Sequence, residues 1–241
     1  MNGVVIITGG SRGIGAATAR LAARHGWNVC LSYRAREDAA TDVVAACRAE
    51  GVRAQAVRAD VTEEADVAAL FDRAERLGPL TGLVNNAGVV APQTRVANLT
   101  RDRIERVFAV NTVGAFLCAR EAVRRMSGGA IVNVSSRAAV LGAPGEYVDY
   151  AAAKAAVDAL TVGLAKEVAG SGIRVNAVRP GLIETDIHAE GGEPGRVARL
   201  ASSVPLGRGG TPQEVAETVV WLLSPAASYV TGAFVDVGGG R

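Results

Sequence analysis

Seven short runs rich in β-branched and apolar residues recur along the chain. Each is separated from the next by a longer segment with helical spacing, and this alternation constrains the fold more than any other feature. The runs occupy 3–8 (GVVIIT), 28–33 (NVCLSY), 52–59 (VRAQAVRA), 81–86 (TGLVNN), 129–136 (GAIVNVSS), 172–178 (GIRVNAV) and 233–237 (AFVDV). The segments between them carry apolar side chains at helical spacing, as with Ile104, Val107 and Phe108 or Val219, Trp221 and Leu222, which suits crossover helices. The expected class is α/β: a Rossmann-like, doubly wound sheet of about seven parallel strands with helices on both faces. No Pro/Gly/Ser linker and no internal repeat divides the 241 residues, so 1–241 is expected to form one domain.

Composition removes several function classes. Twenty-six Lys and Arg stand against 24 Asp and Glu, a net charge of +2, and aromatics make up 4%, so neither a basic groove nor a stacking platform for nucleic acid is indicated. No apolar stretch reaches the roughly 18 to 20 residues that a membrane span needs. The N-terminal apolar run passes straight into glycines without a basic leader, so it reads as structure rather than a signal, and a cytoplasmic location is expected. Cys30, Cys47 and Cys118 form no CxxC pair and read as small buried hydrophobes in a reducing compartment. His25 precedes Gly26 at a helix C-terminus, and neither it nor His188 has a partner at metal spacing, so no metal is expected.

The stretch TGGSRGIG, Thr8 to Gly15, follows the first strand and opens the first helix. Gly9, Gly13 and Gly15 allow close approach of a phosphate to the backbone, and the helix start turns unpaired N–H groups and its positive dipole end toward an anion. Their spacing, G-x3-G-x-G, departs from the commoner G-x-G-x-x-G fingerprint. The second strand ends SYRAR and carries no acid for the adenosine ribose hydroxyls. Tyr33 and Arg34 stand there instead, and Arg12 approaches from the glycine loop, giving two cations for a 2'-phosphate. NADP(H) is therefore favoured over NAD(H), the alternative being that the arginines are solvated surface charge. Glu37 and Asp38 suit the start of the next helix.

From these motifs onward the sequence resembles the short-chain dehydrogenase/reductase family over essentially its whole length. The glycine stretch, with Ser11, Arg12 and Ile14, is similar to the family's cofactor loop. Asp60 and Val61 resemble its adenine contact, and NNAG, with Asn86, Ala87 and Gly88, the stretch after its fourth strand. Asn111 in VNTVG, Ser136 in NVSS, and Tyr150 with Lys154 in YAAAK follow in order, and RPGLIET supplies Pro180, Gly181, Ile183 and Thr185. Its reductases related to 3-oxoacyl-carrier-protein reductase and to glucose 1-dehydrogenase look most similar. The resemblance implies an NADP(H)-dependent enzyme acting on a small carbonyl or alcohol. It also implies a homotetramer, or a homodimer, joined through the helices near 101–126 and 147–169.

The chemistry is consistent with the residue types. A phenol with an ordinary pKa near 10 needs help to exchange its proton, and Lys154, one helical turn after Tyr150, lies on the same face about 6 Å along the axis. Tyr150 is the expected general acid/base, with Lys154 lowering its pKa and, by resemblance, contacting the nicotinamide ribose. Ser136 ends the fifth strand, where its hydroxyl can polarise the carbonyl; Ser135 would point to the opposite face. By resemblance Asn111 anchors a water on a proton path, and Ile183 and Thr185 bond the nicotinamide carboxamide. Tyr147, two turns from Lys154, either lines the substrate pocket or packs. The rival reading is a dinucleotide-sensing regulator that keeps the fold without catalysis.

Two segments shape the substrate side. Residues 184–205 have weak periodicity, with Gly191, Gly192, Pro194 and Gly195 at their centre, and read either as a mobile lid or as an ordinary surface loop. His188 within them reads as solvated sooner than as a substrate contact. Ser136 precedes Tyr150 by fourteen residues, one more than in many family members, so the intervening loop is expected to alter pocket shape. Acyl thioester, sugar, steroid-like ketone and small diketone all stay open, with Arg124, Arg125, Arg137 and Arg179 available to a carrier protein.

Overall fold

The computed structural model describes residues 3–241. Seven strands form one sheet: β1 (Val4–Ile7), β2 (Asn28–Tyr33), β3 (Ala54–Arg58), β4 (Leu80–Asn85), β5 (Gly129–Val134), β6 (Ile173–Pro180) and β7 (Phe234–Val237). Their order is β3-β2-β1-β4-β5-β6-β7, and every pairing is parallel. Neighbouring β1 and β4 therefore lead to opposite halves of the sheet, and a crevice opens at their carboxyl ends, where doubly wound folds bind ligands.

The near-continuous apolar strands reflect burial on both faces. Val5 and Ile7 join Leu31, Val84 and Val132 in one core, while Val4 and Ile6 join Leu83, Ile131 and Phe71 in the other. Helices α1 (Gly13–Arg24), α2 (Glu37–Ala49) and α10 (Pro212–Leu223) bury their apolar stripes in the first core. Helices α3 (Glu64–Glu75), α5 (Gly114–Arg125) and α7 (Val148–Glu167) cover the second. The start of α10 is fixed by a capping box between Thr211 and Glu214 with Pro212 in the first turn. Glu37 and Asp38 lie in the first turn of α2, and His25 is the C-terminal cap of α1.

Helix α4 (Arg101–Phe108) runs through a π-helical turn, Ala109–Val113, directly into α5. Four strands, β1, β3, β5 and β7, are shorter than the sequence pattern; β3 starts at Ala54, and β5 ends at Val134, the Ser135 N–H still donating to the Val178 carbonyl at 2.8 Å before the chain turns into the short helix α6 (Ala138–Leu141). The stretch 184–205 is not featureless. It holds α8 (Ile187–Glu190), α9 (Arg196–Leu200) and a 3-10 turn at Ala201–Ser203. Among the described residues no helix is long and apolar enough to cross a membrane.

Candidate active site

A cavity of about 870 Å3 opens at the carboxyl ends of the strands, between the glycine loop, the first turns of α7 and the 184–205 segment. Every residue singled out above for cofactor or catalysis lines it except Gly15 and Asn111. Both exceptions lie directly behind the wall. A Cβ on Gly15 would sit 2.4 Å from the Gly9 carbonyl and 2.5 Å from Asn86 Nδ2, so this glycine lets α1 pack under the loop.

The glycine loop is clamped by the end of β4. Asn86 donates through Nδ2 to the carbonyls of Thr8 (2.9 Å) and Gly9 (3.0 Å), while Thr8 Oγ1 accepts from the N–H groups of Asn86 and Ala87, both at 3.0 Å. Gly9 has φ +63°, its N–H donates to Ser32 Oγ at 3.2 Å, and a Cβ there would meet Ala87 Cα at 3.1 Å. Arg12 is the N-cap of α1 but makes no side-chain cap, and the first turn contains no acid. The positive end of α1 is thus left open beside the cavity, an arrangement that fits the pyrophosphate of a dinucleotide.

At the end of β2, Tyr33 and Arg34 occupy the place where an acid would bind ribose hydroxyls. Both arginines are exposed, Arg34 to 66% and Arg12 to 41% of the side chain, and each has a carboxylate partner. Arg34 Nε lies 3.3 Å from Asp60 Oδ2, and Arg12 pairs with Glu190 of α8. Asp60 is further fixed by Thr62, whose N–H and hydroxyl donate to Oδ1 at 3.0 and 2.8 Å.

The catalytic candidates converge on the opposite wall. Ser136 and Tyr150 line the cavity together, the Ser136 Oγ accepting from the Ala138 N–H at 3.1 Å, and Lys154 Nζ lies 5.8 Å from the Tyr150 ring centre while donating to the Val134 carbonyl at 2.8 Å. Ser135 points the other way, its hydroxyl donating to the Lys154 carbonyl at 3.3 Å, as strand alternation requires. Asn111 sits in the π-helical turn, donates through Nδ2 to Val107 (2.8 Å) and Val89 (2.9 Å) and accepts from the Val89 N–H at 3.2 Å. A Cβ on Gly88 would lie 2.8 Å from Asn111 Oδ1 and 3.4 Å from Lys154 Nζ, so glycine at 88 lets asparagine and lysine approach.

Burial pushes the Tyr150 phenol up to about 12, with the Ser136 side chain opposing it. Burial likewise brings the Lys154 ammonium down to about 8, against the attraction of Asp158. Desolvation is the first cause of both shifts, and with it Tyr150 carries its proton at neutral pH.

A family model described as enoyl-(acyl carrier protein) reductase matches residues 9–241. The chain belongs to the short-chain dehydrogenase/reductase family. It is 54% identical, over 99% of both chains, to the uncharacterized oxidoreductase YgfF of Escherichia coli. It is 46% identical to cis-4-hydroxycyclohexanecarboxylate dehydrogenase of Sinomonas cyclohexanicum, over 98% of this chain and 95% of that one. Among solved structures, a blue fluorescent protein from a metagenomic library, in complex with NADPH, superposes with a TM-score of 0.92 at 35% identity, covering 100% of this chain and 99% of that one. The protein is accordingly an oxidoreductase built to use a nicotinamide dinucleotide.

On the substrate side of this short-chain dehydrogenase/reductase, Tyr147 and His188 are joined by residues that motif reading missed: Arg196, Glu146, Asp149 and Arg103. Tyr147, buried at the N-cap of α7, lines the cavity and donates its hydroxyl to the Gly191 carbonyl at 3.3 Å, so it both packs and faces the pocket. Arg196, only 8% exposed, lies 5.2 Å over the Tyr147 ring and pairs with Glu146 and, at 3.0 Å, with Glu193. His188 is half-buried and its Nε2 lies 2.8 Å from the Ile183 carbonyl, which corrects the expectation of a solvated histidine. Below the cavity, Asp149 and Arg103 form a buried pair at 2.7 Å that ties α7 to α4. Apart from the local His188–Ile183 and Arg196–Glu193 contacts, these partners are 44 or more residues apart in sequence, so no spacing signal marks them.

The four arginines considered for a carrier protein are occupied. Arg124 and Arg125 pair with Glu121, Arg125 also with Asp72 and Glu75, Arg137 with Asp236, and Arg179 with Asp158 while stacking 3.9 Å from the Phe234 ring. The cysteines are buried, and desolvation pushes Cys30 and Cys118 up to about 12 and Cys47 to about 11, so none is a reactive thiolate.

Proposed function

We propose that this protein interconverts a secondary alcohol and its ketone with NADP(H), using Tyr150 as general acid and base. The observation that carries the reading is the meeting of Ser136, Tyr150 and Lys154 on one wall of the cavity whose other wall is the open end of α1. The nicotinamide, when bound, supplies or takes up the hydride. The chain does the rest. A carbonyl oxygen beside Ser136 and Tyr150 receives a hydrogen bond from the first and a proton from the second as negative charge develops on it. The Lys154 charge then favours the phenolate left behind, and Asn111, a neighbour of Lys154 across Gly88, anchors the path that returns the proton.

The glycine loop and α1 would hold the pyrophosphate, and Asp60 and Val61 the adenine. Lys154 would hold the nicotinamide ribose, with Ile183 and Thr185 on the carboxamide. Support for NADP(H) comes from the missing acid at the end of β2, from Arg12 and Arg34 on the same cavity, and from the NADPH in the related solved structure. On the substrate side Val89, Val90, Leu141, Tyr147 and Ile187 give an apolar wall, which suits a hydrocarbon-flanked ketone. Cis-4-hydroxycyclohexanecarboxylate dehydrogenase, a relative, is named for a ring-borne alcohol, and alicyclic ketones head the test panel.

The test is NADPH oxidation across alicyclic, steroid-like, sugar and acyl-thioester carbonyls, repeated with NADH. Turnover of an alicyclic ketone with a clear preference for NADPH is the expected result. A preference for NADH overturns the cofactor assignment, and cofactor binding without turnover of any carbonyl replaces the enzyme with a dinucleotide-sensing regulator.

A further inference from the structure

The 184–205 segment touches the cofactor loop at two points. Glu190, the last residue of α8, pairs with Arg12, the N-cap of α1, across 178 residues of sequence. Beside it, Thr185 packs on the loop so closely that a Cβ on Gly13 would lie 3.3 Å from Thr185 Cγ2. Both members of the ion pair line the main cavity, with side chains 41% and 38% exposed. A carboxylate of the chain thus satisfies the arginine that stands next to an open helix N-terminus.

We propose that Glu190 is an internal competitor for the cofactor's 2'-phosphate and sets how strongly the protein distinguishes NADP(H) from NAD(H). The inference rests on the assignment of Arg12 to that phosphate. A guanidinium presents five donors in a fixed fork and binds carboxylate and phosphate in the same geometry, so the two anions are alternatives at one cation. A nucleotide carrying a 2'-phosphate must take Arg12 from Glu190 and also bear the repulsion of that carboxylate. A nucleotide without the phosphate leaves the pair intact. The same exchange removes a tether between the glycine loop and α8, so phosphate recognition and the hold on the lid are coupled through one side chain.

Adenosine 2',5'-bisphosphate and 5'-AMP, titrated calorimetrically into the intact protein at low salt, separate the claims without any turnover. In the unaltered protein the bisphosphate is expected to bind more tightly than 5'-AMP; equal binding overturns the assignment of Arg12 and this proposal with it. Given that preference, Glu190→Gln is expected to tighten the bisphosphate about two- to fivefold, the span of an exposed ion pair, and to leave 5'-AMP unchanged. Glu190→Ala is expected to behave alike. Adding Arg12→Gln is expected to erase the gain. No tightening, an equal change for both nucleotides, or a gain that survives in the Arg12→Gln background overturns the role of Glu190 while leaving the NADP(H) assignment standing.

Discussion

At the residue scale the site is an argument about desolvation. Tyr150 and Lys154 are both driven toward their neutral forms, the phenol up to about 12 and the ammonium down to about 8, each by burial. Lys154 therefore loses its charge as pH rises through about 8, well before an ordinary lysine, whereas Tyr150 keeps its proton. Carbonyl reduction is expected to fall as pH passes that value, which a profile of kcat between pH 6 and 10 would show. A rate that stays flat to pH 10 contradicts the assignment. Nearby, Ala143 lines the cavity at φ +43°, the one non-glycine residue with positive φ among those described. Left-handed backbone costs a residue with a Cβ about 1 kcal/mol, so Ala143→Gly is expected to raise stability by up to about 1 kcal/mol in urea denaturation. The longer loop inferred from the Ser136–Tyr150 spacing is where this strained residue lies.

The candidate catalytic residues were legible at this scale because the chemistry proposed for them requires local spacing. Tyr150 and Lys154 are one helical turn apart, and Ser135 and Ser136 are separated by strand alternation alone. The pKa of Tyr150 was not legible, since desolvation belongs to the packed environment and no residue spacing encodes it. Nor were Glu190, Arg196 and Glu146 legible as partners of distant groups, because an ion pair across 50 or 178 residues leaves no local pattern.

At the scale of elements, the orientation of α7 decides whether Tyr150 meets Ser136. Its first turn is held by Asp149, whose carboxylate accepts from Arg103 Nε at 2.7 Å and from a second guanidinium nitrogen at 3.3 Å. Arg103 also donates to the Pro92 carbonyl, so α4, α7 and the stretch after β4 meet at one side chain. Removing one partner leaves the other charge buried. Asp149→Asn is expected to cost about 3 kcal/mol in denaturant unfolding, with a double Arg103→Leu, Asp149→Leu protein recovering part of the loss. A loss below about 0.5 kcal/mol would show the pair to be peripheral. Strands and long helices were readable in sequence because double burial and amphipathic periods repeat over many residues. The segments α8 and α9 were not, because helices of four and five residues, fastened by Tyr147, His188 and Glu193, carry too short a period to register.

At the scale of the molecule, the sheet's reversal between β1 and β4 creates the cavity, and the helices on the second face shape a surface beyond it. Val113 and Phe116 of the α4–α5 run are each 48% exposed, and Ala152, Ala155 and Ala159 of α7 are exposed small residues. We propose that two such faces meet in a homodimer that pairs again as a homotetramer. Phe116→Arg is expected to reduce the assembly seen by light scattering, and an unaltered protein that runs as a monomer contradicts the arrangement.

The central claim is that Tyr150 transfers the proton, and the most direct measurement is the single-turnover rate of ketone reduction by NADPH in Tyr150→Phe. The phenylalanine keeps the ring and its packing while removing the hydroxyl that shares the cavity wall with Ser136. The account predicts a folded protein with unchanged NADPH affinity and a rate lower by about 100-fold or more. A variant that binds NADPH and reduces the ketone at the wild-type rate would contradict it.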